Sequence, residues 1–79
     1  MIVEVRLFAG LQKYVRDAVS GEPFSVTLDD HAAVADLLEC LAIPRREAYV
    51  NMVNGHASSA ATILQHADRV GIFPPVGGG

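Results

Sequence analysis

The residues of this 79-residue chain best placed to do chemistry are its last seven, Phe73-Pro74-Pro75-Val76-Gly77-Gly78-Gly79. Three glycines in a row hold no ordered conformation by themselves, so they are either slack or a working extremity. A reactive carboxylate at Gly79 would need a clean exit from the folded body. Two prolines provide it, because they hold the chain extended and cannot continue a ladder. Val76 to Gly79 would then span at most about 13–14 Å, enough to thread a narrow channel in another protein. Backbone without side chains passes where any Cβ would clash.

The other reactive side chains fit structural roles. Cys40 stands between Leu37-Leu38 and Leu41, where a free cysteine reads as a small buried hydrophobe. His31, His56 and His66 are spaced by 25 and 10 residues and have no second cysteine beside them, so no metal site is expected. Arg45-Arg46 reads as a solvated pair in a turn, Asn54-Gly55 as a tight turn, and Asp68-Arg69 as the entry to the last strand. Phe73, the last aromatic before the prolines, is divided between core and partner interface. Phe8 and Leu64 are weaker interface candidates, with the core as default. No phosphate-cradling GxxxxGK[ST] motif and no paired acidic motif appears, so the domain has no recognisable active site of its own.

The elements that must carry this extremity follow from periodicity. Val3, Val5 and Leu7 alternate with Glu4 and Arg6, a strand pattern; Phe24 to Leu28 alternates again. Residues 9–19 read as a short helix from the spacing of Leu11, Tyr14, Val15 and Ala18. Val34, Leu37, Leu38 and Leu41 fall at i, i+3, i+4 and i+7, the main amphipathic helix, with Asp29 and Asp30 as capping candidates and Pro44 beyond its end. Residues 48–53 and 69–73 make two further strands, and residues 56–68 read as irregular with one short strand. The predicted architecture is α+β: a small mixed sheet packed on one helix, over residues 1–75, followed by a tail at 76–79.

Composition narrows the function. At 79 residues the chain is one domain, burying only roughly 60% of the surface of its unfolded form. A single cysteine leaves no internal disulfide and fits a reducing compartment. Net charge is −3, with one lysine and few aromatics, which disfavours nucleic acid as a partner. The opening Met-Ile-Val-Glu-Val-Arg-Leu-Phe has no signal-peptide character, and no apolar run approaches a membrane span, so a cytoplasmic protein without a membrane partner is expected.

Four stretches together, IVEVRLFAGLQKY, DLLECL, VNG and the FPP block with Gly78-Gly79, resemble the MoaD/ThiS sulfur carriers over nearly the whole chain. The FPP sequence is more similar to the MoaD branch than to ThiS; Gly77, ahead of the family's glycine pair, is a departure. The resemblance implies a ubiquitin-like β-grasp fold and a role as small subunit of molybdopterin synthase. A MoeB-like enzyme would adenylate the Gly79 carboxylate, consuming ATP. A sulfur donor would displace AMP to leave a thiocarboxylate. A MoaE-like large subunit, held in a hetero-oligomer, would receive the sulfur for a cyclic pyranopterin in molybdenum or tungsten cofactor synthesis. Pro74, Pro75, Val76, Gly77 and Gly78 would be the tail that enters the partner's channel, and the domain would bind no cofactor. The alternatives are a carrier for thiamine or another pathway, a ubiquitin-like modifier of proteins, and a β-grasp interaction module.

Overall fold

The computed structural model describes residues 1–75. Strand β1 (Ile2–Leu7) pairs antiparallel with β2 (Phe24–Thr27) and parallel with β5 (Arg69–Phe73). On the far side of β5 lie β3 (Val50–Val53) and β4 (His56–Ser58), each antiparallel to its neighbour. The described residues thus form one mixed five-stranded sheet in the order β2-β1-β5-β3-β4. The first and last strands are central and parallel, and β2 and β4 are the edges.

Alternation decides which face is covered. Val3, Val5 and Leu7 of β1 and Val70 and Ile72 of β5 are at most 2% exposed and point to one side. Helix α1 (Val34–Cys40) lays Val34, Leu37 and Leu38 against them, and Leu41 packs on the same cluster. This is the stripe expected from the i, i+3, i+4, i+7 spacing. Burying some fifteen such side chains on one face supplies the hydrophobic drive that no disulfide shares.

The helix ends show what spacing alone did not. Asp29 and Asp30 do not cap it; Ala33 occupies the N-cap position. The first free amides, those of Val34 and Ala35, donate instead to the carbonyls of Thr62 and Ala60, both at 2.9 Å. Asp36 reaches back to accept from the Ala33 N–H at 2.7 Å. The irregular 59–64 stretch therefore meets the backbone requirement that a capping side chain would otherwise meet. At the other end the Ala42 N–H donates to Glu39 O and the Ile43 N–H to Leu38 O, a Schellman closure with Ala42 at φ 58°.

The helix expected over residues 9–19 is a single 3-10 turn, Leu11–Tyr14. Ala9 and Gly10 enter it with positive φ, Val15 is extended, and Asp17 turns left-handed again. Only Leu11 is fully buried there, so too little apolar surface is covered to hold a longer helix.

Cys40 is a third correction. It is exposed, on the flank of α1 beside Glu39, because the buried stripe runs through Leu37, Leu38 and Leu41 instead. The three histidines are exposed. His66 Nδ1 accepts the Ile2 N–H at 3.0 Å. Among the described residues no helix is long and apolar enough to cross a membrane.

Candidate functional site at the root of the last strand

Strand β5 runs through the middle of the sheet and delivers its end to the face that α1 leaves open. Gly71 and Phe73 point to that face, as do Glu4, Arg6 and Phe8 from β1 and the residue after it, and Val50 and Met52 from β3. The Phe8 N–H donates to Ile72 O at 3.2 Å, which extends the β1–β5 ladder one residue and fixes Phe8 beside Phe73. The two rings stack with centroids 4.4 Å apart and planes 4° from parallel.

Gly71 is the floor of this pair. Its φ lies outside the left-handed region, so no backbone demand selects glycine there. A Cβ at Gly71 would lie 3.6 Å from a carbon of each ring, in ordinary contact. Alanine would therefore fit, whereas any longer side chain would push into the space the stacked rings occupy.

Beyond Phe73 the chain passes Pro74, half-buried, and Pro75, exposed. Alongside runs an open, mostly apolar groove of about 910 Å³, formed by Ala9, Tyr49, Val50, Met52 and the Phe73-Pro74-Pro75 segment with Glu47 on its rim. Tyr49 is 71% exposed. Its ring thus adds exposed apolar surface beside the groove. Among the described residues no group of three His, Cys, Asp or Glu side chains converges as a metal site. The groove offers shape and apolar contact, with no cluster of acids or bases to move protons.

The interface candidates from the sequence separate cleanly. Phe73 and Phe8 are half-buried, stacked together on the open face and adjacent to the groove. Leu64 is 2% exposed, inside the core, and its N–H donates to Ala32 O; it cannot present its side chain to a partner. The weaker interface reading of Leu64 is corrected and its default, the core, holds: the bridge between Ala33 and Ile63 turns the neighbouring Ile63 outward and Leu64 inward. The structure brings Pro74 and Pro75 to the groove; Val76, Gly77, Gly78 and Gly79 lie outside the described residues. Ala9, Glu47, Tyr49, Val50 and Met52 are the groove residues that sequence reading missed. The signal was there in Tyr49, whose neighbours on either side are needed for strand and core while its own ring has no inward position.

A second feature steadies the site from below. Asn54 and Gly55 both have positive φ, the geometry of a two-residue type I′ hairpin between the paired Val53 and His56. Asn54 Nδ2 donates to Asp68 Oδ1 at 2.9 Å, and the Arg69 N–H donates to Asn54 Oδ1 at 2.9 Å. Asp68 Oδ2 accepts the Gln65 N–H at 2.8 Å. The turn and the strand entry, read separately as structural, are one clasp that registers β3 against β5.

A mixed sheet with parallel central strands, grasping one helix and ending its last strand at an open face, defines a ubiquitin-like β-grasp domain. Comparison places it further: a family model described as Mut7-C ubiquitin matches residues 1–77, and the chain belongs to that family. The fold is similar to that of SAMP1 from Haloferax volcanii, 27% identical, with a TM-score of 0.72 and full coverage of both chains. It is also similar to the Haloferax volcanii HVO 2177 protein, at 28% identity and TM-score 0.78, covering 100% of this chain and 87% of that one. A complex of subunits 1 and 2 of molybdopterin-converting factor from Helicobacter pylori 26695 includes a chain of the same fold, with 24% identity, TM-score 0.61 and full coverage of both. The β-grasp fold implied by the resemblance thus has its counterpart in these structures. No curated protein matches the chain.

Proposed function

We propose that this domain is a sulfur carrier whose Gly79 carboxylate is adenylated and then converted to a thiocarboxylate, in the manner of the small subunit of molybdopterin synthase. The observation that carries the reading is the exit of β5: Phe73-Pro74-Pro75 leave the centre of the sheet beside a stacked aromatic pair and an apolar groove. A partner docked there is adjacent to whatever follows Pro75. Two subunits assemble in the Helicobacter pylori molybdopterin-converting factor, and a chain of this fold is one of them. By that likeness the groove takes a MoaE-like large subunit, or a MoeB-like adenylating enzyme at the activation step.

The chemistry asks little of the carrier itself. A carboxylate oxygen of Gly79 attacks the α-phosphorus of ATP held by the activating partner, and pyrophosphate leaves. A hydrosulfide equivalent from the sulfur donor then attacks the acyl carbon, and AMP departs with the bonding pair. The body of the domain docks and so converts a bimolecular encounter into a local one. In this reading it binds no cofactor and holds no acid or base for the reaction.

The similarity to SAMP1 favours a second reading, in which the activated glycine is transferred to protein amines as a ubiquitin-like modifier. Both readings share the adenylate. Incubation with an adenylating enzyme, ATP and a hydrosulfide source, followed by intact-mass analysis, tests them. The expected result is replacement of one oxygen by sulfur on the full chain and none on a chain lacking Gly78-Gly79. A truncated chain that still gains sulfur, or a mature protein that keeps residues beyond Gly79, overturns the reading. Isopeptide-linked adducts on other proteins select the modifier.

A further inference from the structure

We infer that the free edge of β2, with the groove between it and α1, is a second docking surface that takes an extended basic segment of a partner protein. It lies away from the β5 exit and does not depend on the carrier reading.

The main-chain bonds fix which groups are free. The Leu28 N–H donates to Met1 O and Leu28 O accepts from the Met1 amino group, so Leu28 faces β1. Ile2, paired with Thr27, turns the other way: its N–H donates to His66 and its carbonyl accepts from Ala67. Along an antiparallel pair this alternates. Phe24, Val26 and Leu28 therefore bond to β1, while Ser25 and Thr27 aim both N–H and C=O outward from the edge. The edge is short, four residues, but neither edge-facing residue is a proline, lysine or bulge, three of the devices that close an edge to pairing.

Below this edge is an open cavity of about 560 Å³ with a short apolar floor, Leu28 and Ala32, and an acidic rim. Asp29 and Asp30 stand at one end; Asp36 and Glu39 project from α1 at i and i+3 on the flank facing β2. No lysine or arginine lines it.

A strand added to β2 would place alternate side chains over this cavity. Lysine or arginine fits there: the aliphatic stem lies on Leu28 and Ala32 and the charged head reaches the carboxylates. A second copy of this chain does not fit, because pairing β2 with β2 brings the two acidic rims together.

The test is a titration of the full isotope-labelled chain with an end-capped hexapeptide of alternating lysine and valine, and with its glutamate-for-lysine counterpart. The expected result has four parts. Amide shifts are confined to residues 24–32 and 36–40, and exchange of the Ser25 and Thr27 N–H groups slows about tenfold or more. Alkylation of the exposed Cys40 thiol in the same groove slows, and affinity falls with added salt. The glutamate peptide does not bind. Asp36→Asn with Glu39→Gln weakens the lysine peptide about fivefold or more. Thr27→Pro, which removes an N–H that no ladder bond uses, abolishes binding with the fold kept by circular dichroism. Should that proline variant unfold, the Asp36/Glu39 variant decides alone. Absence of binding, shifts centred on Phe8 and Phe73, equal binding of the glutamate peptide, an unaffected Asp36/Glu39 variant, or a dimer paired through β2 without peptide each overturns the inference.

Discussion

Phe8 and Asn54 act through geometry that only their neighbours supply. Phe8→Ala removes one ring of a stacked pair on a face that is already open. The expected cost in stability is about 1–2 kcal/mol from the lost stack and part of its area, read by denaturant unfolding. On the proposed carrier function, capture of an activating enzyme should fall far more steeply, since the same ring stands beside the groove. Asn54→Ala places a Cβ residue without a local hydrogen-bonding side chain at φ 51° and breaks both bonds of the clasp with Asp68 and Arg69. A loss of about 2 kcal/mol is expected from strain and unmade bonds together, and hydrogen exchange should quicken at the β3–β4 turn. Asn51 poses a different problem. It is buried, donates through Nδ2 to Ala48 O at 3.3 Å, and leaves Oδ1 without a partner among the described residues. Asn51→Asp would put a carboxylate there against a carbonyl. Burial raises the pKa of such an acid, so the folded state binds the proton more tightly than the unfolded state. The variant should therefore be least stable at neutral pH and regain stability as pH falls through the raised value, a dependence that wild-type titration subtracts cleanly.

Helix α1 carries the element-scale argument. Its buried stripe makes Leu37→Ala a cavity substitution costing about 2–5 kcal/mol, a large share of the roughly 5–15 kcal/mol that holds a small domain folded. A lowered denaturant midpoint with α1 and the sheet melting together is the expected readout. Its C-terminus offers the opposite change. Ala42 occupies the left-handed position of a Schellman closure, is exposed, and carries a Cβ that this conformation penalises. Ala42→Gly should stabilise by about 0.5–1 kcal/mol, seen as a rise in Tm with unchanged circular dichroism.

Across the whole molecule, the first and last strands are neighbours at the centre of the sheet, so the end of β5 is anchored by ladders on both sides. The described core, ladders and clasp all lie within residues 1–75. Removal of Gly78-Gly79 is expected to leave Tm within about a degree of the full chain, since it deletes no residue of the described core, ladders or clasp. It should abolish sulfur gain in the adenylation assay. The molecule divides its faces: one covered by α1, one open and apolar near β5, one acidic groove beside β2.

Much of this was legible in the chain. The two-residue alternation of β1 and β5, the 3.6-residue stripe of α1 and the Asn54-Gly55 turn are local patterns, and each forms as its period dictates, because burial of one face rewards that period directly. The aromatic and prolines of Phe73 to Pro75 mark the end of the last strand in the sequence, and the structure ends β5 there. What local pattern could not decide was phase and partnership. In β3 the polar Asn51 is buried while Val50 and Met52 face outward, so hydrophobicity alone would assign the wrong face. The N-terminus of α1 is closed by carbonyls some 25 residues away, not by the nearby aspartates. The stacking of Phe8 on Phe73 is likewise a consequence of which strands lie side by side, and the burial of Leu64 follows from the bridge between Ala33 and Ile63. Such contacts join residues far apart in the chain, and packing into one shared core sets them.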